Sequence, residues 1–202
     1  MKRYFFLFAV LFSALVVNAQ KYEDIKNKLI VSQYKQAKED IDKAMTNVKF
    51  TAKPEAYILK ATIYAGLAMA EGTKGTPQAE PLATEAEAAF KKYKEMDPAM
   101  SLVTDPIYQN GPINLYSGYY ASGYNDYSAK PPKWDASFEK FKKAAELSDV
   151  LISKKILTST LDTNVLILAA VTAENSNKKD EAAKYYMRLA DNKVTGYGFE
   201  SV

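Results

Sequence analysis

Residues 134–144, Trp134-Asp-Ala-Ser137-Phe-Glu-Lys-Phe141-Lys-Lys-Ala144, set a small side chain, a large one four positions on, and a third contact residue three further. On a helix these offsets share one face. The small residue admits a neighbouring helix closely, and the large one fills the space beside it. Three other segments superimpose on this one without a gap: Tyr34–Ala44 (Ala37, Ile41, Ala44), Ala83–Tyr93 (Ala86, Phe90, Tyr93) and Lys179–Leu189 (Ala182, Tyr186, Leu189). Positions 37, 86, 137 and 182 lie 49, 51 and 45 residues apart. The simplest helical repeat has a period of about 34, so the connections must carry insertions.

Working outward, each of the last three segments has a candidate partner helix upstream. Pro54 suits a first helical turn, and Tyr57, Ala61 and Tyr64 then recur at i, i+4, i+7. Leu166, Ala170 and Ala173 repeat the spacing, with Asp162 or Thr163 available as N-cap. Ala170 and Ala182 are placed for a tight hairpin, and either Gly118 or Ala121 serves as the contact residue of the third pair. Tyr22, Ile25 and Leu29 suggest a short, degenerate first partner. The breakers agree: Gly72 to Pro77 with Pro81 form a loop, Asp97-Pro98 ends a helix, and Asn110-Gly111-Pro112 and Pro131-Pro132 bound another. No long alternation of Val, Ile and Thr suggests a sheet.

The first 20 residues, MKRYFFLFAVLFSALVVNAQ, combine Lys2 and Arg3, an apolar run from Phe5 to Val17, and small residues up to Ala19. This is the pattern of a cleaved secretory signal over 1–19, leaving a repeat domain over 20–202. The apolar run is shorter than the roughly 20 residues a membrane span needs. The chain has no Cys, so no lipoprotein tether and no disulfide framework are expected, and export to the periplasm or the extracellular space is the reading. Loss of Lys2 and Arg3 leaves 25 basic against 24 acidic residues, a net charge of +1 in place of +3. That balance offers no concentrated basic face for nucleic acid.

Catalytic chemistry has few carriers here. The absence of His and Cys removes the commonest general base, the thiol nucleophile and the usual transition-metal ligands, and no cofactor or metal is expected. Gly72 and Gly75 lack the Lys-Ser/Thr of a phosphate loop. Glu85 with Glu87, and Asp40 with Asp42, are two apart on helices and do not face each other. An enzyme built on Asp, Glu, Tyr and Lys remains the remote alternative. Lys140, Lys142 and Lys143 interleave with Glu139 and Glu146 as a solvated face.

Trp134-DASFEKFKKAAEL and Lys179-DEAAKYYMRLAD resemble the second helix of the tetratricopeptide repeat, and Pro54-EAYILKATIY resembles its first. The resemblance covers most of residues 22 to 193. It departs from the family in its long loops, its weak first hairpin, and Tyr93 and Leu189 where Ala is usual. It implies an all-α fold, an α-solenoid of about four irregular antiparallel hairpins stacked as a right-handed superhelix. A related helical array or an irregular helical bundle is the alternative. It also implies a binding groove lined by first helices, at Ile58, Thr62 and Ala65 in the second hairpin and Ile167, Val171 and Glu174 in the fourth. The family's Lys/Asn/Arg carboxylate clamp is not matched there, which points to a more apolar groove for a protein or peptide partner. The chain ends at Val194-TGYGFESV, where another first helix or a polar cap is expected, so a fragment or a covered end is expected.

One region stands apart. Tyr116, Tyr119, Tyr120, Tyr124, Tyr127 and Trp134 crowd a short segment, with Tyr120, Tyr124 and Tyr127 on one helical face. Bulky residues here fill space between hairpins; a surface patch would instead recognise a protein or, in the alternative reading, a glycan.

Overall fold

The computed structural model describes residues 22–195. The expected signal at 1–19 and the stretch beyond residue 195 lie outside the described residues. Every regular element among the described residues is helical. In chain order these are α1 (residues 22–30), α2 (Tyr34–Ala44), α3 (Val48–Thr51), α4 (Pro54–Met69), α5 (Ala79–Met96), a 3-10 turn (Ser101–Thr104), α6 (Asn110–Tyr127), α7 (Trp134–Ser153), α8 (Thr163–Asn175) and α9 (Lys179–Asp191). The chain divides into two compact units, one running to Gly111 and the other from Pro112.

The repeated contact triads are core. Ala37, Ile41 and Ala44 are buried, as are Ala86, Phe90 and Tyr93, Ser137, Phe141 and Ala144, and Ala182 with Leu189. Tyr186 alone stays half-exposed, its hydroxyl donating to Glu174 Oε2 at 2.8 Å. Helix starts follow the expected chemistry at Pro54, the first residue of α4, and at Asp162, whose carboxylate caps α8 by accepting from Val165 N–H. Pro81 does not belong to the loop before α5. It sits in the first turn of that helix, where an absent N–H costs nothing.

In the first unit α4 packs against α2, α3 and α5. Its residues from Ile58 to Ala68 are almost all apolar and buried, the composition of a helix enclosed on every side. In the second unit α8 packs against both α7 and α9, and Ala170 and Ala182 join one cluster with Phe138, Phe141 and Leu189. α6 approaches α7 closely at Gly123. Ser137 Oγ donates to Gly123 O at 2.8 Å, and a Cβ on Gly123 would lie 3.2 Å from Lys140 Cβ and from the Phe141 ring.

Four helix ends share one device. Ser32, Lys155, Asn177 and Lys193 each adopt a left-handed conformation, with φ of 57°, 57°, 59° and 56°, two residues beyond a helix. The following N–H then reaches back to close the turn, as in Ile156 N–H to Leu151 O at 2.9 Å and Lys178 N–H to Ala173 O at 2.9 Å. This satisfies carbonyls that a helix end leaves unpaired.

Candidate functional site

Among the described residues no three His, Cys, Asp or Glu side chains are grouped so as to hold a metal ion. In the first unit the acids serve as struts. Glu55 Oε1 accepts from the buried Tyr108 hydroxyl at 2.6 Å and pairs with Lys26 at 2.9 Å, tying α1 to the start of α4. Burial pushes the Tyr108 hydroxyl pKa far up, and the Glu55 carboxylate raises it further. Tyr64 donates to Asp42 at 2.5 Å, with the Lys38 and Lys60 ammoniums each 5.1 Å from its ring centroid. An open depression of about 520 Å³ between α1 and α2 is lined by Asp24, Asn27, Lys28, Val31, Gln33 and Asp40, with Lys28 and Asp40 ion-paired.

The expected groove in the second hairpin is corrected. Ile58, Thr62 and Ala65 are 0%, 2% and 1% exposed, so they are interior and offer nothing to a partner. Thr62 Oγ1 lies 2.9 Å from Ile58 O and 3.3 Å from Tyr108 O, and Gly111 packs onto its backbone. In the fourth hairpin Ile167 and Val171 are half-exposed and Glu174 is exposed. Ile167 leans on the unit's core cluster together with Tyr116, Tyr119, Tyr120 and Tyr127.

The aromatic segment is neither core nor loose surface. Tyr116, Tyr119, Tyr120, Tyr127 and Trp134 are half-buried, and Tyr124 is exposed at 49%. The rings support one another: Tyr116 lies 6.2 Å from Tyr120, which meets Phe141 edge-on at 5.8 Å. Tyr124 lies 5.9 Å from Tyr127, which meets Trp134 edge-on at 5.7 Å and 73°. Such pairs prefer these offset and edge-on geometries and hold their rotamers in place.

Their polar ends differ. Tyr116 donates to Asp162 at 2.7 Å, and burial, with Asp162 next, raises its pKa. Lys143 lies over the Tyr119 ring, 5.0 Å from its centroid. The hydroxyls of Tyr120, Tyr124 and Tyr127 and the indole N–H of Trp134, by contrast, make no hydrogen bond to another described residue. Asp126, the one charged side chain of α6, is 8% exposed and paired with Lys140 and, at 3.5 Å, with Lys133. The result is a short aromatic strip with rings that support one another and, among the described residues, donors without a partner and no unpaired acid.

Taken by unit, the molecule is an all-helical protein of closely packed helices whose second unit carries an aromatic, hydrogen-bonding strip. Comparison with protein-family models, with curated proteins and with solved structures finds no match.

Proposed function

We propose that this protein is a non-catalytic interaction scaffold, exported to the periplasm or beyond it, that binds a protein partner through the tyrosine strip of its second unit. In this reading its hairpins stack as a tetratricopeptide-like superhelix, and the mature form carries neither lipid nor cofactor. The observation that carries it is the set of donors on Tyr120, Tyr124, Tyr127 and Trp134 that bond to no other described residue, on rings already held by one another. Tyrosine and tryptophan bury large rigid area at low entropic cost and keep a polar tip, which is why they dominate interface hot spots. The half-exposed Ile167 and Val171 of α8 add apolar surface to the same unit.

Affinity capture from the envelope of the source cells tests the reading, with the wild-type protein compared against a Tyr124→Ala, Trp134→Ala double variant. A protein retained by the first and lost with the second is the expected result. Equal retention by both contradicts it, and retention of a polysaccharide in place of a protein transfers the strip to the carbohydrate alternative.

A further inference from the structure

We infer that the outer face of α9 is a self-association surface: two copies of the chain pair their α9 helices antiparallel about a two-fold axis, Met187 of each lying against Ala190 of the other. Neither residue belongs to the tyrosine strip, so this pairing is independent of what the strip binds.

The ground is a second contact triad. The small, large and third residues of α9 are Ala182, Tyr186 and Leu189, and the same offsets recur one position on as Ala183, Met187 and Ala190. All three are exposed, and Met187, at 57%, is the most exposed large hydrophobic side chain of the second unit among the described residues. At about 3.6 residues per turn they lie on the side turned away from the buried Ala182, Tyr185 and Leu189. The superimposed positions of two other helices give the comparison. In α5 they carry Glu87, Lys91 and Lys94, a charged face suited to water. In α7 they carry Phe138, Lys142 and Ala145; Phe138 and Ala145 are buried, and the Phe138 ring meets Tyr185 of α9 edge-on at 6.4 Å. The apolar pattern thus accompanies a face that another helix covers, and on α9 that face is open.

Charge selects the occupant. Lys184 stands three residues before Met187 and Asp191 directly after Ala190, both on one edge of the face. Lys184 is exposed and held only by Glu181 of its own helix, at 2.9 Å, and Asp191 pairs with no cation among the described residues. When Met187 faces Ala190 of an antiparallel copy, like edges meet, and Lys184 falls opposite Asp191 of that copy. The two-fold axis repeats the pair, so two ion pairs bracket the apolar contact. A parallel pairing would set Lys184 against Lys179 of the other chain. Large against small at the axis lets the two helices approach closely, as the core triads do. α9 has 13 residues and is about 20 Å long, so its face covers less than the roughly 800 Å² per partner of a stable interface, and the pair is weak.

Sedimentation equilibrium of the full protein from about 10 µM to about 1 mM tests the pairing. The wild-type mass is expected to rise from that of the monomer towards twice that value. Met187→Glu, which sets a carboxylate in each apolar contact, is expected to stay monomeric throughout. Asp191→Lys places like charges at both ion pairs and is expected to weaken the dimer about tenfold. Lys184→Asp combined with Asp191→Lys restores opposite charges and should return it to within about threefold of wild type. All three positions are exposed, so the helical signal should match wild type and serves as the folding control. A wild-type chain still monomeric at about 1 mM, a dimer that Met187→Glu leaves intact, or a double variant no tighter than Asp191→Lys alone overturns the inference. If the wild type is monomeric yet Met187→Glu loses a protein captured from the cell envelope, the face belongs to that partner and the second copy is ruled out.

Discussion

Alkali should unfold this protein cooperatively, and its buried tyrosines should be the cause. Tyr22, Tyr93 and Tyr108 are 3%, 0% and 1% exposed, and each has a pKa raised above the ordinary tyrosine value, by burial first. Neighbouring acids add to it: Glu55 for Tyr22 and Tyr108, Asp97 for Tyr93. The folded state therefore binds these protons more tightly than the unfolded chain. Their stabilisation is complete below the unfolded pKa of about 10 and is lost as pH climbs from there towards the folded values. Each such group removes up to about 1.4 kcal/mol per pH unit in that window. Three together remove up to about 4 kcal/mol per unit, and about half of that if water enters as the structure loosens, against a total stability of about 5–15 kcal/mol. Over two to three pH units above 10 this removes about 4–12 kcal/mol, enough to bring a protein of middling stability to its unfolding transition. The assay follows tyrosinate absorbance and helical circular dichroism on one sample. Exposed tyrosines ionise first without loss of helix, and a later absorbance step coincides with helix loss. Tyr108→Phe removes one linked proton and should make that later transition shallower. A single smooth ionisation near pH 10 with the helices intact would refute the reasoning.

Three other outcomes follow from named contacts. A Cβ on Gly111 would stand 2.8 Å from Thr62 Oγ1 and 3.2 Å from Thr62 Cα, so Gly111→Ala should destabilise by about 1–3 kcal/mol in urea unfolding. Lys155 holds φ of 57°, and Lys155→Gly should raise stability by about 1 kcal/mol in the same assay. Tyr116→Phe breaks the bond to Asp162 and should lower stability by about 1–2 kcal/mol, whereas Tyr124→Phe should stay within about 0.5 kcal/mol of wild type.

Much of the helical framework is written locally. Ala37, Ala86, Ser137 and Ala182 reveal their faces by spacing alone, because a small residue followed by a large one at i+4 must lie against something. The groove residues Ile58, Thr62 and Ala65 failed for an equally physical reason. A lining position needs a helix with one face left over, and the run from Ile58 to Ala68 leaves α4 none. The all-round apolar composition of that helix was a visible warning. The left-handed helix ends escaped notice because Ser32, Lys155, Asn177 and Lys193 do what glycine usually does. Long-range polar pairs leave no local trace: Tyr108 finds Glu55 across 53 residues, and the buried Asp126 is met by Lys133 and Lys140. The tyrosine segment showed its composition and its shared face, but which hydroxyls are used depended on Asp162, 46 residues from Tyr116.

The central claim is that the strip of α6 and the start of α7 is where a protein partner sits. Its most direct measurement places a photoreactive benzoylphenylalanine at Tyr124 or, as a control, at Val48, which is 81% exposed in the other unit. Cells producing each variant are irradiated and the adducts are identified by mass spectrometry. The account predicts a defined protein adduct at position 124 that is absent at position 48. Adducts of equal kind at both positions, or none at 124, would contradict it.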